Sequence, residues 1–391
     1  MFMIAVQHKR NTFQQYEQVA LVLQGGGALG SYQAGAIEGL MNAGVEPDWV
    51  AGISIGALNT AIIAGNPPER RIEALKAFWD TICTPNYTAS LMAPMAAWVS
   101  SINDMTRGAL SAFEASRTLF EGQKGFFSSR FPLPMLANTA YKPDEISYYT
   151  TAALRDTLLK YADFDLINTG DMRVSVGAVN VRTGNFVYFD NREMTLTPEH
   201  FMASGALPPG FPAVEIEGEY YWDGGLVSNT PLSRITDDLG HKDTLVFQVD
   251  LWRSHGPLPQ SFLDISERTK DIQYSSRTRL VTDGLRARQY NRRLIDELLK
   301  KVPAGEHDAL CEEAKRMLAN DGRINIIHLI YQDKSFEGSY KDFEFSHATM
   351  REHWHSGLAD IKKTFAHPEF FALPEEGVGF TTHDVHRAPS A

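Results

Sequence analysis

Cysteine is scarce in this chain: Cys83 and Cys311 are the only two in 391 residues. Two cannot form a disulfide framework, and their separation gives no metal-ligand spacing. Both are expected as ordinary buried thiols of a reducing compartment. Long apolar runs are also missing. The richest stretch, Val50 to Gly65, is interrupted by Ser54, Asn59 and Thr60, short of the ~18 residues a spanning helix needs. Met1 to Val6 comes before Lys9 and Arg10, the reverse order of a secretory signal. The expectation is a cytoplasmic protein, at most peripheral at the inner face of a membrane. Basic residues are outnumbered 37 to 48, for a net charge of −11, which argues against nucleic acid as a partner. The deficit is uneven, because Ile265 to Lys301 holds ten Lys/Arg against five Asp/Glu. No acidic loop has calcium spacing, and no metal or cofactor is expected.

What is present is enough for a large α/β core, with 43% of residues apolar. Val19 to Leu23 is a short apolar run that ends at glycines, as a buried parallel strand does. Ser31 to Asn42 has helical spacing, Asp48 to Ile53 is a second strand, and Gly56 to Ala64 is a small-residue helix. Strand, helix, strand, helix predicts a parallel sheet with crossover helices. Further strands are expected at Met172–Val179, Gly184–Phe189, Leu245–Leu251 and Arg323–Tyr331, and a helix at Glu69–Trp79. Residues 85–150 are expected as a mostly helical insertion or lid. The stretch from Asp264 to Leu318 should be helical. Met350, Trp354, Leu358, Ile361 and Phe365 mark the apolar face of a last helix. The tail after Pro368 is expected to be irregular.

Three motifs carry chemistry. Gly25-Gly26-Gly27-Ala28-Leu29-Gly30 joins the first strand to a helix, and its amides, beside a helix N-terminus, suit an anion. That anion is either a dinucleotide phosphate or the oxyanion of a tetrahedral intermediate. Gly52-Ile53-Ser54-Ile55-Gly56 sits at the next strand-to-helix junction, where a sharp turn projects the hydroxyl above the sheet edge. By itself it is equally a tight turn. A dinucleotide site wants an acid at the end of the second strand, yet Asp48 stands at that strand's start and Ser54 at its end. A hydroxyl needs a base. Of the twelve histidines, none has a recognisable setting; His353 and His355 lie on different faces of one helix. The third motif, Asp223-Gly224-Gly225, offers a carboxylate, although Asp-Gly alone is a common turn.

Together, Gly25–Gly30, Gly52–Gly56 and Asp223–Gly225 resemble, in order, the three blocks of the patatin-like phospholipase family. Ala203 to Pro212 resembles the segment that precedes the family's catalytic aspartate. The resemblance covers roughly residues 17–250 and is poor between 85 and 150. It implies a three-layer fold: a mostly parallel sheet with helices on both faces, a helical insertion, and a C-terminal extension. That extension, 255–370, is expected to be helical with one strand, followed by an irregular tail at 371–391. The resemblance also implies a Ser54–Asp223 catalytic dyad without histidine, an oxyanion hole from the amides of Gly25, Gly26 and Gly27, and an acyl-Ser54 intermediate. Many family members carry Arg or Lys where this chain has Leu29, which favours a broad ester range over an anionic headgroup. The implied partner is a lipid or other acyl ester.

Rival expectations are a Ser-His-Asp esterase of α/β-hydrolase type, a nucleotide-binding oxidoreductase, and a non-catalytic lipid-binding protein. Leu91, Met92, Met95, Trp98, Val99, Phe126, Phe127 and Phe131 would suit either an acyl-chain wall or the core of a small helical subdomain. Arg286, Arg288, Arg292, Arg293, Lys300 and Lys301 would face anionic lipid or form a solvated helix face.

Overall fold

The computed structural model describes residues 13–86, 104–130, 141–238, 242–276, 278–303, 308–319, 322–335, 337–375 and 378–386. Leu91, Met92, Met95, Trp98, Val99 and Phe131 lie outside them. The strands are β1 (Gln18–Leu23), β2 (Trp49–Gly52), β3 (Ser128–Ser129), β4 (Tyr149–Thr150), β5 (Arg173–Asn180), β6 (Phe186–Asp190), β7 (Val214–Ile216), β8 (Glu219–Asp223), β9 (Thr244–Asp250), β10 (Ile324–Ile330) and β11 (Phe380–Asp384). The helices are α1 (Gly30–Asn42), α2 (Ile55–Ala64), α3 (Arg71–Ile82), α4 (Asp104–Glu121), α5 (Ala152–Tyr161) and α6 (Phe164–Thr169). They continue with α7 (Pro198–Ser204), α8 (Leu232–Asp237), α9 (Phe262–Tyr274), α10 (Thr278–Leu299), α11 (Ala309–Ala319) and α12 (His347–Phe365).

Nine strands form one sheet in the order β11-β10-β9-β1-β2-β5-β8-β7, with β6 also on β5. The run from β11 to β5 is parallel, and β6, β7 and β8 pair antiparallel. Central strands buried on both faces explain why β1, β2 and β9 read as continuous apolar runs rather than alternating ones. Leu21, Leu23, Val50 and Val249 join the larger core with α1, α2, α3 and α12. Ala20, Val22, Ala51 and Val246 join Leu232, Ile235 and Leu285, from α8 and α10, on the other face. This is the expected three-layer α/β architecture.

The apolar stripe expected on the last helix is present, and it faces α1. A Cβ on Gly35 would lie 1.9 Å from the Trp354 carbonyl oxygen, and one on Gly357 would lie 2.0 Å from that of Tyr32. Small residues let the two backbones approach, so α12 is clamped to the helix that follows the glycine loop.

Cys83 is buried as expected, whereas Cys311, on the surface helix α11, is only partly buried. The tail expected to be irregular needs correction: Phe380–Asp384 within it is a strand that runs parallel to β10 and extends the main sheet. The short β7–β8 hairpin went unrecognised; it turns at Glu217 and Gly218, both with positive φ, as a two-residue type I′ connection requires. Phe126 and Phe127 are core, not wall: both are buried, and their rings pack on Phe211 and Phe345. In the basic stretch, Arg292 donates to the Met317 and Leu318 carbonyls, and Lys300 pairs with Asp296 and Glu297.

Candidate active site

The sheet register brings the motifs together. β1 and β2 are parallel neighbours with Leu23 opposite Gly52, so the Gly25 loop and the Ser54 elbow leave the same sheet edge side by side. β2 pairs with β5 as far as Gly52 opposite Val176. Two residues further along β5, Ala178 faces Asp223. Since β6 overlaps both stretches of β5, β2 and β8 share the remaining edge. Asp223 therefore arrives where β2 stops, level with Ser54.

Ser54 has φ 54° and ψ −123°, a conformation L-residues rarely adopt, which stores roughly 1–3 kcal/mol of strain. The surroundings hold it there. A Cβ on Gly56 would lie 2.3 Å from the Leu23 carbonyl oxygen, and one on Gly52 would lie 2.4 Å from that of Gly56. Only glycines allow the elbow to press this closely on β1, and Gly30 similarly admits Ile55. The Ser54 amide donates to Ser204 Oγ at 3.0 Å.

Asp223 is 2% exposed. Its carboxylate accepts a hydrogen bond from the Gly225 amide at 2.7 Å, and the Ser54 side chain lies close enough to lower its pKa. Burial pushes its pKa up from 3.8 to about 7, and the neighbouring Ser54 hydroxyl and Gly225 amide hold it from going higher. Its own amide donates to the Ala206 carbonyl at 3.0 Å. The Ala203–Pro212 segment thus braces both residues, through Ser204 on one side and Ala206 on the other. Among the described residues, no histidine bonds to or shifts Asp223. His353 is instead buried against Glu337, and His328 against Asp250.

Among the expected oxyanion donors, Gly25 departs from expectation. Its N–H donates to the Asn229 carbonyl at 3.1 Å, so it ties the loop down and is not available to an anion. Its Cα carries no side chain because a Cβ would lie 3.0 Å from Ser54 Cβ. Among the described residues, nothing accepts from the amides of Gly26 or Gly27. Gly27 has φ 55°, and a Cβ there would meet the Asp342 carbonyl oxygen at 2.1 Å; that oxygen accepts from the Ala28 amide. Leu29 is fully buried in the main core, so its position brings no charge to the loop. Gly224 packs against the Gly177 carbonyl, and Gly225 against Asn229.

Residue-by-residue reasoning did not single out Asn229, Ser204 or Gln24. Asn229 Nδ2 donates to the carbonyls of Gly25 and Tyr274, linking the glycine loop, the loop after Asp223 and the end of α9. Gln24 accepts from the amides of Leu251 and Trp252, and the Trp252 indole donates to the Gly25 carbonyl. Their only sequence signal was proximity to the motifs: Gln24 precedes Gly25, and Asn229 follows the Asp-Gly-Gly turn.

A family model described as patatin-like phospholipase matches residues 21–234, which include all three motifs. The chain belongs to the patatin-like phospholipase family. A second model, described as patatin phospholipase, matches residues 272–377, so the extension with β10 and α12 is itself a recognised part of patatin-type chains. The family assignment makes this protein a lipid acyl hydrolase acting on ester bonds. Among solved structures, VipD from Legionella pneumophila is 14% identical, with 87% of this chain and 67% of that one covered at a TM-score of 0.35. The type III effector protein ExoU is 15% identical at a TM-score of 0.27, and this patatin-like chain spans about half its length, 53%. No curated protein sequence matches this chain. No helix among the described residues is long and apolar enough to cross a membrane.

Proposed function

We propose that the protein hydrolyses lipid esters, as a phospholipase A, lysophospholipase or broader carboxylesterase, through a Ser54–Asp223 dyad. Asp223 takes the Ser54 proton as Oγ attacks the ester carbonyl carbon. The amides of Gly26 and Gly27 receive the oxyanion, within the cradle that Gly25 closes. Collapse of the tetrahedral intermediate expels the alcohol, which takes the proton from Asp223, and leaves acyl-Ser54. Asp223 then accepts a proton from water, which attacks the acyl group. Fatty acid leaves and the Ser54 hydroxyl is restored. The observation that carries this reading is the buried carboxylate of Asp223, which the sheet register delivers beside the Ser54 side chain. A base titrating near the working pH is the efficient one, and burial of Asp223 provides it. With Leu29 in the core, no cation at that position selects an anionic headgroup, which favours a broad range of esters.

The pH profile tests this. Only the ionised carboxylate accepts a proton, so kcat/KM for p-nitrophenyl butyrate is expected to fall about tenfold per pH unit below an apparent pKa of about 7. Carboxyl ionisation carries almost no enthalpy, so that limb should stay in place between cold and warm assays, whereas an imidazole limb would drift. A rate that is level down to pH 5 would rule out Asp223 as the base.

A further inference from the structure

The helix α9 is amphipathic in the reverse of the usual sense. Its charged side chains turn towards the protein. Lys270 bonds the Asp342 carboxylate, Arg268 donates to the Arg253 and Ser254 carbonyls, and Asp271 pairs with the buried Lys341 beside Glu267. Its apolar side chains turn outward. Phe262 is 89% exposed, Leu263 75% and Ile272 59%, and Ile265 is also exposed. Leu258, in the irregular chain just before the helix, is 87% exposed. Lys270 and Arg268 flank this face but are drawn inward by those bonds; between the apolar side chains it exposes the uncharged Ser266, Thr269 and Gln273, and its acid, Asp264, caps the helix N-terminus. In water this arrangement is unfavourable, because a surface helix normally buries its apolar stripe and solvates its charges.

The helix also adjoins the site. The carbonyl of its last residue, Tyr274, accepts from Asn229 and Gln24, the two side chains that hold the Gly25 loop. The loop after Asp223 exposes Leu226 and Val227. We propose that the outward face of α9 is the surface by which this protein docks on a neutral lipid interface, placing the dyad next to its substrate. The choice of lipid as occupant rests on the acyl-hydrolase reading. Two observations favour it over a second copy of the chain. A 13-residue helix presents a face of about 20 by 10 Å, roughly a quarter of the ~800 Å² per partner that a stable interface needs. In addition, a face with no cation and no paired acid gives a protein partner little to specify, whereas insertion among acyl chains needs only apolar area.

The test is flotation with phosphatidylcholine vesicles. Wild type and Ser54→Ala are both expected to float, equally at about 0.15 M and about 1 M salt, since insertion is not screened. A Phe262→Glu/Ile265→Glu/Ile272→Glu variant should partition at least about tenfold more weakly. It should retain the wild-type melting profile and p-nitrophenyl butyrate turnover, because all three side chains lie mostly or half in solvent and away from the dyad. Flotation of the variant at the wild-type level would overturn the proposal. So would failure of wild type to float, or sedimentation showing a dimer that the variant dissociates. If the hydrolase reading alone is wrong, wild type still floats but no ester is cleaved.

Discussion

Ser54→Ala is expected to lower turnover of p-nitrophenyl butyrate by about 10⁴-fold or more, the range seen when a serine hydrolase loses its nucleophile. The loss should be chemical rather than structural. The Ser54 amide, not its hydroxyl, makes the bond to Ser204, so that brace survives. The strained φ of 54° is imposed by the close fit of Gly52 and Gly56, and alanine bears the same strain as serine. The melting temperature should therefore change little while activity disappears. Retention of more than a few per cent of wild-type turnover by a folded Ser54→Ala protein would place the nucleophile elsewhere.

Asp223→Asn should likewise remove turnover, by about 10²–10⁴-fold for loss of the general base, and it should stabilise the fold at alkaline pH. The sign follows from linkage. The carboxyl's pKa is 3.8 in the unfolded chain and about 7 in the folded one, so the folded state binds the proton more tightly. Between roughly pH 4 and 7 the folded protein carries a proton that the unfolded chain lacks. Raising the pH through that window therefore erodes stability, and the full cost stands above pH 7. Asparagine cannot ionise and carries no such cost. Allowing for a weaker bond to the Gly225 amide, the gain at pH 8 should be about 1–3 kcal/mol, with little or none at pH 4. Thermal melts of both proteins across that range check this directly. A variant less stable than wild type at pH 8, by the same margin as at pH 4, would mean that the carboxylate is not buried at a cost.

The first two motifs were legible because glycine is informative where backbone must approach backbone. Gly25–Gly30 and Gly52–Gly56 stand at consecutive strand-to-helix junctions, and crossover rules make such strands neighbours. Asp223 was legible only through the order of the family's blocks. Its arrival at Ser54 depends on β5, whose edge is shared by β2 and β8, and strand pairing over such a separation leaves no local trace. The commitment of the Gly25 amide to Asn229 was hidden for the same reason, because a lone asparagine after a turn resembles any surface residue. The fold was legible where strands are long and buried on both faces. It was obscure where they are short, as in β7–β8, or placed near the end of the chain, as in β11. The outward apolar face of α9 was masked by its charges, which look like a solvated surface until their partners on Lys341 and Asp342 are seen.

The central claim is that Asp223 alone activates Ser54, and the most direct measurement is the rate at which a fluorophosphonate labels Ser54, mapped by peptide mass spectrometry. The label should fall on Ser54 in the wild type, with a rate that follows an ionisation near pH 7. It should be slowed by about 10²-fold or more in Asp223→Asn and unchanged in His200→Gln. Wild-type labelling in Asp223→Asn, or loss of labelling on removing a histidine, would contradict the account.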